Sequence, residues 1–290
     1  MFRRVGIVSK PLDPAVEKTL NRVIATLNRL DRAVIVDETS AELRPEGSFT
    51  VEPAEELSQA CDLVISIGGD GTLLQSAGLI YPSEVAIMGI NLGRLGFLTD
   101  IRPDAVESEI EAVLNGDFIS EERTVLGCQL YRDDGIIAAA DGLNDVVIQK
   151  WNTARLITLD TYVDDKFLHS QRSDGMIVAT PTGSTAYALS GGGPILDPSI
   201  NAVALVPICP HTLTNRPIVV SDRSRIEIHI VTEREDESRL TCDGNSIHDL
   251  VPGDRIVVFR REKSVRLVHP KYHDHFATLR AKLDWGRAPC

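Results

Sequence analysis

The first 120 residues alternate short apolar runs with segments of helical spacing, and this alternation most constrains the fold. The apolar runs that predict buried strands lie at 4–9, 33–37, 62–67 and 85–90. The segments that predict helices lie at 14–30, 54–60 and 104–116, with a further helix beginning near residue 70. Strands that alternate with helices favour a parallel sheet with helices on both faces. We therefore predict an N-terminal α/β domain over residues 1–120.

After about residue 120 the pattern changes to short β-rich runs separated by turn signals such as "RDDG", "VDDK" and "VPGD". The runs that predict strands lie at 124–131, 143–149, 155–163, 166–171, 175–179, 203–208, 217–220, 225–231, 238–242, 255–259 and 264–268. They predict an all-β domain over 121–274, interrupted by a glycine-rich stretch at 180–196. The segment 275–286 has helical character, and we expect 275–290 to return to the first domain.

Charge and cysteine content exclude several classes of partner. The chain has 290 residues and a formal net charge of −12, which argues against broad binding to nucleic acid or to an anionic membrane. No apolar run approaches the roughly 20 residues of a membrane span. The five cysteines are widely spaced and form no CxxC pair, which indicates reduced thiols in a cytoplasmic protein.

The stretch "SIGGDGTLL" (66–74) places three glycines around one aspartate between a predicted strand and a predicted helix. Bare backbone at such a junction lets N–H groups approach a phosphate, which makes Gly68, Gly69, Gly71 and Thr72 candidates for a phosphate or ATP loop. A carboxylate among phosphates is repelled unless it binds a metal or accepts a proton. Both roles for Asp70 belong to phosphoryl transfer. A tight turn with a capping aspartate remains an equally open interpretation.

Three further stretches combine polar side chains with flexible backbone. The segment "GINLGRLGFLTDI" (89–101) follows a strand and leaves the sheet at the same edge as the glycine turn. The segment 170–196 crowds hydroxyl groups and free amides into a loop, which is more often functional than structural. An Asn-Asp pair in "LNDVV" (143–147) opens a strand, where a simple β-turn is the alternative. No P-loop, HExxH or GxSxG pattern occurs in the chain.

These motifs, in this order, resemble the NAD kinases of the bacterial type. The resemblance rests on "GGDG", "NLGRLGFLTD", "LNDV", "RSDG", "TPTGSTAYALSGGGPI" and "PHTLTNRPIV", and it spans about residues 4–285. It implies a Rossmann-like α/β domain followed by a β-sandwich-like domain, with the C-terminal helix on the first. It also implies transfer of a phosphoryl group from ATP to the 2′-hydroxyl of the adenosine ribose of NAD, giving NADP. Magnesium or another divalent ion and a homodimer or homotetramer are implied as well.

By position, the resemblance assigns the role of proton acceptor to Asp70, with Gly71 beside it. Asn144 and Asp145 match a pair that holds ribose hydroxyls, and the charged residues of "RSDG" match positions near the nicotinamide. The residues implied to contact NAD are Asp70, Gly71, Asn144, Asp145, Arg155, Arg172, Asp174, Thr182, Thr185, Ala186, Tyr187, Ala188, Leu189, Ser190 and Asn245.

Two rival functions share parts of this pattern. A lipid kinase also carries GGDG, but it needs an apolar pocket or a membrane-facing surface, of which the acidic, polar composition gives no sign. A non-catalytic module that senses NAD(H) would keep the glycine loops but would not need Asp70. An assay of NADP formation from ATP and NAD separates the three.

Overall fold

The computed structural model describes residues 2–10, 14–93, 95–152, 154–231 and 238–286. The chain divides into two compact units. The first unit comprises Met1–Glu122 and Val265–Cys290, and the second comprises Arg123–Ser264. Elements are numbered in chain order.

The first unit contains a seven-stranded sheet with helices. Its strands are β1 (Arg4–Ser9), β2 (Ala33–Asp37), β3 (Thr50–Glu52), β4 (Leu63–Gly68), β5 (Ala86–Asn91), β6 (Phe118–Arg123) and β19 (Val265–Pro270). Its helices are α1 (Pro14–Arg29), α2 (Glu38–Ala41), α3 (Leu57–Ala60), α4 (Asp70–Ile80), α5 (Val106–Leu114) and α7 (His275–Lys282). The sheet order is β3-β2-β1-β4-β5-β19-β6, and the pairs from β3 to β19 are parallel.

Burial explains why these segments fold as they do. Every residue of β4 and β5 is buried, as expected for central parallel strands covered on both faces. Helix α1 buries Leu20, Ile24 and Leu27 completely at helical spacing, and each such side chain contributes about 1.5–3 kcal/mol on leaving water. Parallel strands end at one edge of their sheet, so the segments after β1, β4 and β5 meet there.

The second unit consists of two six-stranded antiparallel sheets. The strands of one sheet are, in spatial order, β11 (Lys166–Ser173), β10 (Ile157–Val163), β15 (Ile226–Ile230), β18 (Arg255–Arg260), β7 (Leu126–Arg132) and β8 (Gly135–Gly142). Those of the other are β14 (Ile218–Ser221), β13 (Ala202–Ile208), β12 (Gly175–Ala179), β9 (Asp145–Lys150), β16 (Ser238–Cys242) and β17 (Asn245–Leu250). Side chains of both sheets, including Leu130, Ile148 and Ile228, form one buried core. The predicted β-sandwich is confirmed.

The returning C-terminal helix is also confirmed, since α7 belongs to the first unit. The domain boundary needs a correction. The predicted strand at 264–268 was assigned to the all-β domain, 121–274, but β19 pairs with β5 in the first sheet, and the second unit ends at Ser264. An alternating apolar run shows that a strand forms but carries no information on which sheet it joins.

Strands β8 and β17 are not apparent from the sequence. Both are edge strands, and most of their residues are exposed or half-buried. Most of their residues are glycine, alanine or polar, and their few branched apolar residues do not alternate as the pattern of a half-buried strand requires. Among the described residues, no helix has the length and apolar character needed to cross a membrane.

Candidate active site

The glycine turn joins β4 to α4 at the carboxyl edge of the first sheet. Gly69 caps α4, and Asp70 is its first residue. A Cβ on Gly68 would lie 2.2 Å from Oγ1 of Thr72, so internal packing requires glycine there. A Cβ on Gly69 or Gly71 would have no heavy atom within 4 Å. The protein's own packing therefore does not require glycine at these two positions, and the open space beside them suits the close approach of a ligand.

The Asp70 carboxylate is held by the segment that follows β5. Its Oδ1 accepts hydrogen bonds from the amides of Leu98 and Thr99, both at 3.1 Å, and from Oγ1 of Thr99 at 2.9 Å. Its Oδ2 accepts one bond, from the amide of Phe97 at 2.8 Å. Since a carboxylate oxygen has two lone pairs, Oδ2 retains one. The geometry thus fixes the orientation of Asp70 and leaves Oδ2 able to accept a proton.

A cavity of about 370 Å³ lies beside Asp70 within the first unit. Its lining includes the turn glycines Gly68 and Gly69 and two cations, Lys10 after β1 and Lys282 at the end of α7. Two lysines and the N-terminus of a helix favour an anion such as a phosphate chain. Sequence reasoning missed both lysines. Lys10 follows a strand that ends at this edge, but Lys282 reaches the cavity only through the return of α7.

Replacing Gly69 by Ala tests whether the glycine serves a ligand. We expect the variant to fold with an unfolding free energy within about 1 kcal/mol of the wild-type value, because the added methyl meets no protein atom. The KM for ATP should rise about tenfold, since the methyl faces the cavity. Steady-state kinetics with varied ATP, with melting curves, measure both quantities. Gly78→Ala, a matched change inside the same helix, should leave KM unchanged and raise the unfolding free energy by about 0.5–1 kcal/mol. An unchanged KM for Gly69→Ala would contradict the phosphate loop.

In the second unit, the Asn-Asp pair precedes and opens β9 and is anchored by Asp243. The Asp243 carboxylate accepts hydrogen bonds from the amides of Leu143 at 2.7 Å, Asn144 at 2.8 Å and Asp145 at 3.1 Å. Asp243 lies in the Asp-Gly turn between β16 and β17, with a positive φ of 48°. Sequence reasoning missed this residue, although an Asp-Gly pair between two strands is a known hairpin signal.

The glycine-rich loop after β12 packs on the same pair. Thr180 donates its amide to the carbonyl of Asn144 at 2.9 Å and its hydroxyl to the carbonyl of Leu143 at 2.6 Å. The amide of Gly183 in turn donates to Oγ1 of Thr180 at 3.1 Å. Within the described residues, Oδ1 of Asn144 is buried and accepts no hydrogen bond. Buried polar atoms are nearly always paired, so this oxygen suits a hydroxyl of a ligand.

The structure places the other predicted NAD-binding residues around this unit. Thr182 is buried, the 3₁₀ turn Gly183–Thr185 follows it, and α6 (Tyr187–Ser190) comes next. Arg172 is exposed on β11, and Asp174, just beyond β11, pairs with Nζ of Lys150 at 2.7 Å. Asn245 is the exposed first residue of β17, and Arg155 lies in the loop before β10. The contacts bring together the Asn-Asp pair, the loop after β12 and the Asp243 turn.

Burial raises the pKa of Asp145 to about 7, and the charge of Asp243 adds to the shift. Burial also raises the pKa of Asp243, against the three amide bonds that favour its ionised form. Two neighbouring carboxyl groups with raised pKa values are typical of functional sites.

This shift predicts a pH dependence of stability. An Asp in the unfolded chain has a pKa of about 3.9, so the folded chain holds the Asp145 proton more tightly. That stabilisation is fully present below about pH 4 and is lost as the pH rises through the folded-state value of about 7. Asp145→Asn cannot titrate, so the variant should gain stability relative to wild type by on the order of a few kcal/mol between pH 5 and 8. Urea unfolding at several pH values in this range measures the difference in unfolding free energy. If the unfolding free energies of the two proteins change with pH in the same way, the raised pKa of Asp145 is contradicted.

Comparison with known proteins agrees with this geometry. The chain matches the ATP-NAD kinase N-terminal domain over residues 5–118 and the ATP-NAD kinase C-terminal domain over 143–270. It is 44% identical to the NAD kinase of Chromohalobacter salexigens over 98% of this chain and 97% of that protein. It is 43% identical to the NAD kinase of Nitrosococcus oceani over 99% of this chain and 98% of that protein.

Solved structures give the same result. The yeast NADH kinase complexed with NADH superposes with a TM-score of 0.92 at 28% identity, over 99% of this chain and 89% of that one. An NAD kinase from Archaeoglobus fulgidus in complex with ATP gives a TM-score of 0.75 at 28% identity, over 96% and 99% of the two chains. The fold and the site thus define a nucleotide-dependent phosphotransferase. More specifically, the chain belongs to the ATP-NAD kinase family, which confirms the resemblance found in the sequence.

Proposed function

We propose that this protein transfers the γ-phosphoryl group of ATP to the 2′-hydroxyl of the adenosine ribose of NAD, giving NADP and ADP. One observation carries the proposal: among the described residues, the carboxylate of Asp70 is fixed by four hydrogen bonds beside a cavity that presents bare backbone and two lysines. A phosphate chain suits the lysines and the helix N-terminus, and a hydroxyl nucleophile suits the carboxylate.

In the proposed step, the ribose oxygen forms a bond to the γ-phosphorus while the bond to the ADP oxygen breaks. The hydroxyl proton passes to Oδ2 of Asp70, the oxygen that accepts one hydrogen bond from the residues that the structure describes. A free hydroxyl has a very high pKa, so the carboxylate assists mainly as the new bond develops. Lys10, Lys282 and the amides of the turn offset negative charge on the phosphates.

Residues beside the cavity fit a magnesium ion that arrives with ATP. Mg²⁺ is usually held by one or two carboxylates together with substrate phosphates, and Asp70 supplies a carboxylate to the described part of the lining. Because Oδ1 already accepts three hydrogen bonds and Oδ2 has one lone pair left, Asp70 would hold the ion as an alternative to accepting the proton. The ion would supply positive charge that offsets the negative charge of the phosphate chain.

For NAD, we place ribose hydroxyls on Oδ1 of Asn144 and on the Asp145 carboxyl. Support comes from the unpaired, buried Asn144 oxygen and from the anchoring of the pair by Asp243 and Thr180. The loop residues Thr182 and Thr185–Ser190 are proposed to contact the rest of the dinucleotide. Arg155, Arg172, Asp174 and Asn245 are proposed contacts at the edge of this region.

The test is a coupled assay in which an NADP-specific dehydrogenase reports NADP formed by the purified protein from ATP, Mg²⁺ and NAD. The account predicts NADP formation that requires both ATP and NAD. Phosphorylation of diacylglycerol or a sphingoid base without NADP formation would instead support a lipid kinase. Binding of NAD without turnover would support a sensing module. Either result contradicts the proposal.

Arg172 supports a further prediction about the oxidised cofactor. The family resemblance implies that a bulky basic residue at this position accompanies selection of NAD over NADH. The side chain of Arg172 is exposed on β11, where it could shape the nicotinamide pocket sterically. We therefore expect kcat/KM for NAD to exceed that for NADH about tenfold or more, and Arg172→Gly to reduce the ratio. Steady-state kinetics with both cofactors measure it. Equal values for the wild type, or an unchanged ratio in the variant, would contradict the role of Arg172.

We also propose that the protein acts in the cytoplasm as a homodimer or homotetramer. The location is supported by four free cysteines among the described residues, namely Cys61, Cys128, Cys209 and Cys242. The homo-oligomer rests on the family resemblance alone, and light scattering coupled to size exclusion measures it.

A further inference from the structure

The segment 97–99 supplies the four hydrogen bonds that hold the Asp70 carboxylate. The orientation of Asp70 therefore depends on how firmly the backbone of this segment is itself held. One attachment is to β5, where Nδ2 of Asn91 donates to Oγ1 of Thr99 at 2.7 Å. The amide of Asn91 also donates to the carbonyl of Ile101 at 2.8 Å. These bonds fasten the segment to the strand that precedes it.

A second attachment runs through Asp100, the residue that follows the segment. Its side chain is 8% exposed, and its Oδ2 accepts hydrogen bonds from Nδ1 of His269 at 3.1 Å and from Nδ1 of His273 at 2.8 Å. His269 lies on β19, and His273 lies two residues before α7. Both imidazoles are almost fully buried, and their rings stack with centroids 4.0 Å apart. Asp100 thus connects the segment 97–99 to the C-terminal part of the first unit.

The two contacts of Asp100 have the character of charge-assisted hydrogen bonds. Burial opposes ionisation of Asp100, but the hydrogen bonds from His269 and His273 outweigh it and lower its pKa. The carboxylate is therefore charged at neutral pH, and hydrogen bonds to a charged acceptor are stronger than those between neutral groups. Because both donors converge on one oxygen, a displacement of Asp100 weakens both bonds at once.

We propose that Asp100 is a positioning residue for phosphoryl transfer, which acts by holding the segment 97–99 where it orients Asp70. The inference rests on the proposed function, in which Asp70 accepts the proton of the ribose hydroxyl. Asp100 is not among the described residues that line the cavity beside Asp70, so its effect reaches the reaction through the backbone. Misplacement of a reacting group by about 1 Å can cost about a hundredfold in rate.

The first test measures kcat, both KM values and the melting temperature of full-length Asp100→Ala and Asp100→Asn. Alanine removes the acceptor of both imidazoles, so kcat should fall about tenfold while each KM changes less than about threefold. Asparagine keeps an oxygen in the place of Oδ2 and should recover most of the lost kcat. The recovery should be partial, because the amide nitrogen would take the place of Oδ1, which is buried and has no hydrogen-bond partner among the described residues.

A double variant separates positioning from a purely structural role. In Asp70→Asn the base is already absent, so adding Asp100→Ala should lower kcat by less than about twofold further. A residue that only stabilises the fold would lower kcat by the same factor in both backgrounds.

The matched control is Asp254→Ala in the second unit, which also removes a buried carboxylate. Asp254 accepts hydrogen bonds from Nε and Nη2 of Arg132, both at 2.8 Å. This variant should have a lower melting temperature and an unchanged kcat when all proteins are assayed well below their melting temperatures.

Two results would overturn the role of Asp100. One is a folded Asp100→Ala variant with the kcat of the wild type, and the other is the same factor of loss with and without Asp70→Asn. If Asp100→Ala does not fold, His273→Ala replaces it in both comparisons, because it removes one donor and keeps the carboxylate. A wild-type protein that forms no NADP contradicts the proposed function itself, whereas NADP formation with either of the two results contradicts the role of Asp100 alone.

Discussion

Replacing Asp70 by Asn is expected to lower kcat at least about a hundredfold while the affinity for NAD changes far less. General bases contribute about 10²–10⁴-fold. The amide oxygen would take the place of Oδ1, which accepts three hydrogen bonds, and the amide nitrogen would take the place of Oδ2. The position that accepts the proton would then hold a group that cannot accept one. Loss of kcat with retained affinity is the signature of a group that acts in the transition state.

The structure adds a cost in stability to this variant. The amide nitrogen would face the N–H of Phe97, which donates to Oδ2 at 2.8 Å in the wild type. Two opposed donors leave one unsatisfied, at a cost of about 1–3 kcal/mol. We therefore expect a lower melting temperature for a folded Asp70→Asn variant.

Thr99→Val distinguishes the effect of the Asp70 carboxylate itself from the effect of the hydrogen bonds that orient it. It removes one of the four hydrogen bonds to Asp70 and keeps the carboxylate, so kcat should fall by less than about tenfold. Three measurements on both variants test these expectations: steady-state kinetics gives kcat, calorimetric titration gives the affinity for NAD, and melting curves show whether the variants are folded. If Asp70→Asn keeps a substantial share of wild-type kcat, Asp70 is not the base. If it is folded but binds no NAD, Asp70 serves ground-state binding instead.

The second large effect is expected for Gly183→Ala. A Cβ at this position would lie 2.1 Å from the carbonyl oxygen of Asn144 and 2.5 Å from its carbonyl carbon. Backbone cannot rotate away as a side chain can, so either the loop after β12 or the Asn-Asp pair must move. Overpacking of this kind costs about 1–3 kcal/mol, occasionally more. Since both displaced segments are proposed to hold NAD, the affinity for NAD should fall at least about tenfold.

Melting curves and calorimetric titration with NAD measure both effects for Gly183→Ala. The matched control is Gly135→Ala on β8, where the nearest heavy atom would lie at 3.9 Å, an ordinary contact. That variant should match the wild type in NAD affinity. If the two variants have the same melting temperature and the same affinity, the close approach of Gly183 to Asn144 does not position the NAD site.

The elements that could be predicted from the sequence are those encoded by residues close together along the chain. Strands β1, β2, β12 and β16 begin and end where the sequence predicted, because each is a β-rich run bounded by turn or loop residues. Asp70 could be singled out as a candidate because a strand, a glycine turn and a helix start lie within one short window around it, and the structure has β4 and α4 there. The edge strand β8 was missed because the residues it packs on the core, Ala138 and Ala140, are small, while Ile136 and Ile137 are exposed.

Long-range contacts account for what the sequence did not reveal. Lys282 lines a cavity more than 200 residues away along the chain from Asp70, and only the return of α7 brings it there. Asp243 anchors the Asn-Asp pair across about 100 residues of sequence. The Asp100–His269–His273 cluster joins the segment after β5 to the end of the chain. No spacing motif within a short window encodes any of these contacts.

The central claim is that Asp70 promotes transfer of the γ-phosphoryl group of ATP to the 2′-hydroxyl of NAD. The most direct measurement follows label from [γ-³²P]ATP into product, with wild-type protein and Asp70→Asn side by side. Chromatography then separates 2′-phosphorylated NAD from its isomers and from inorganic phosphate. The account predicts label at the 2′ position of NADP with the wild type, formed at least about a hundredfold more slowly by the variant. Label only in inorganic phosphate, or equal rates for the two proteins, would contradict it.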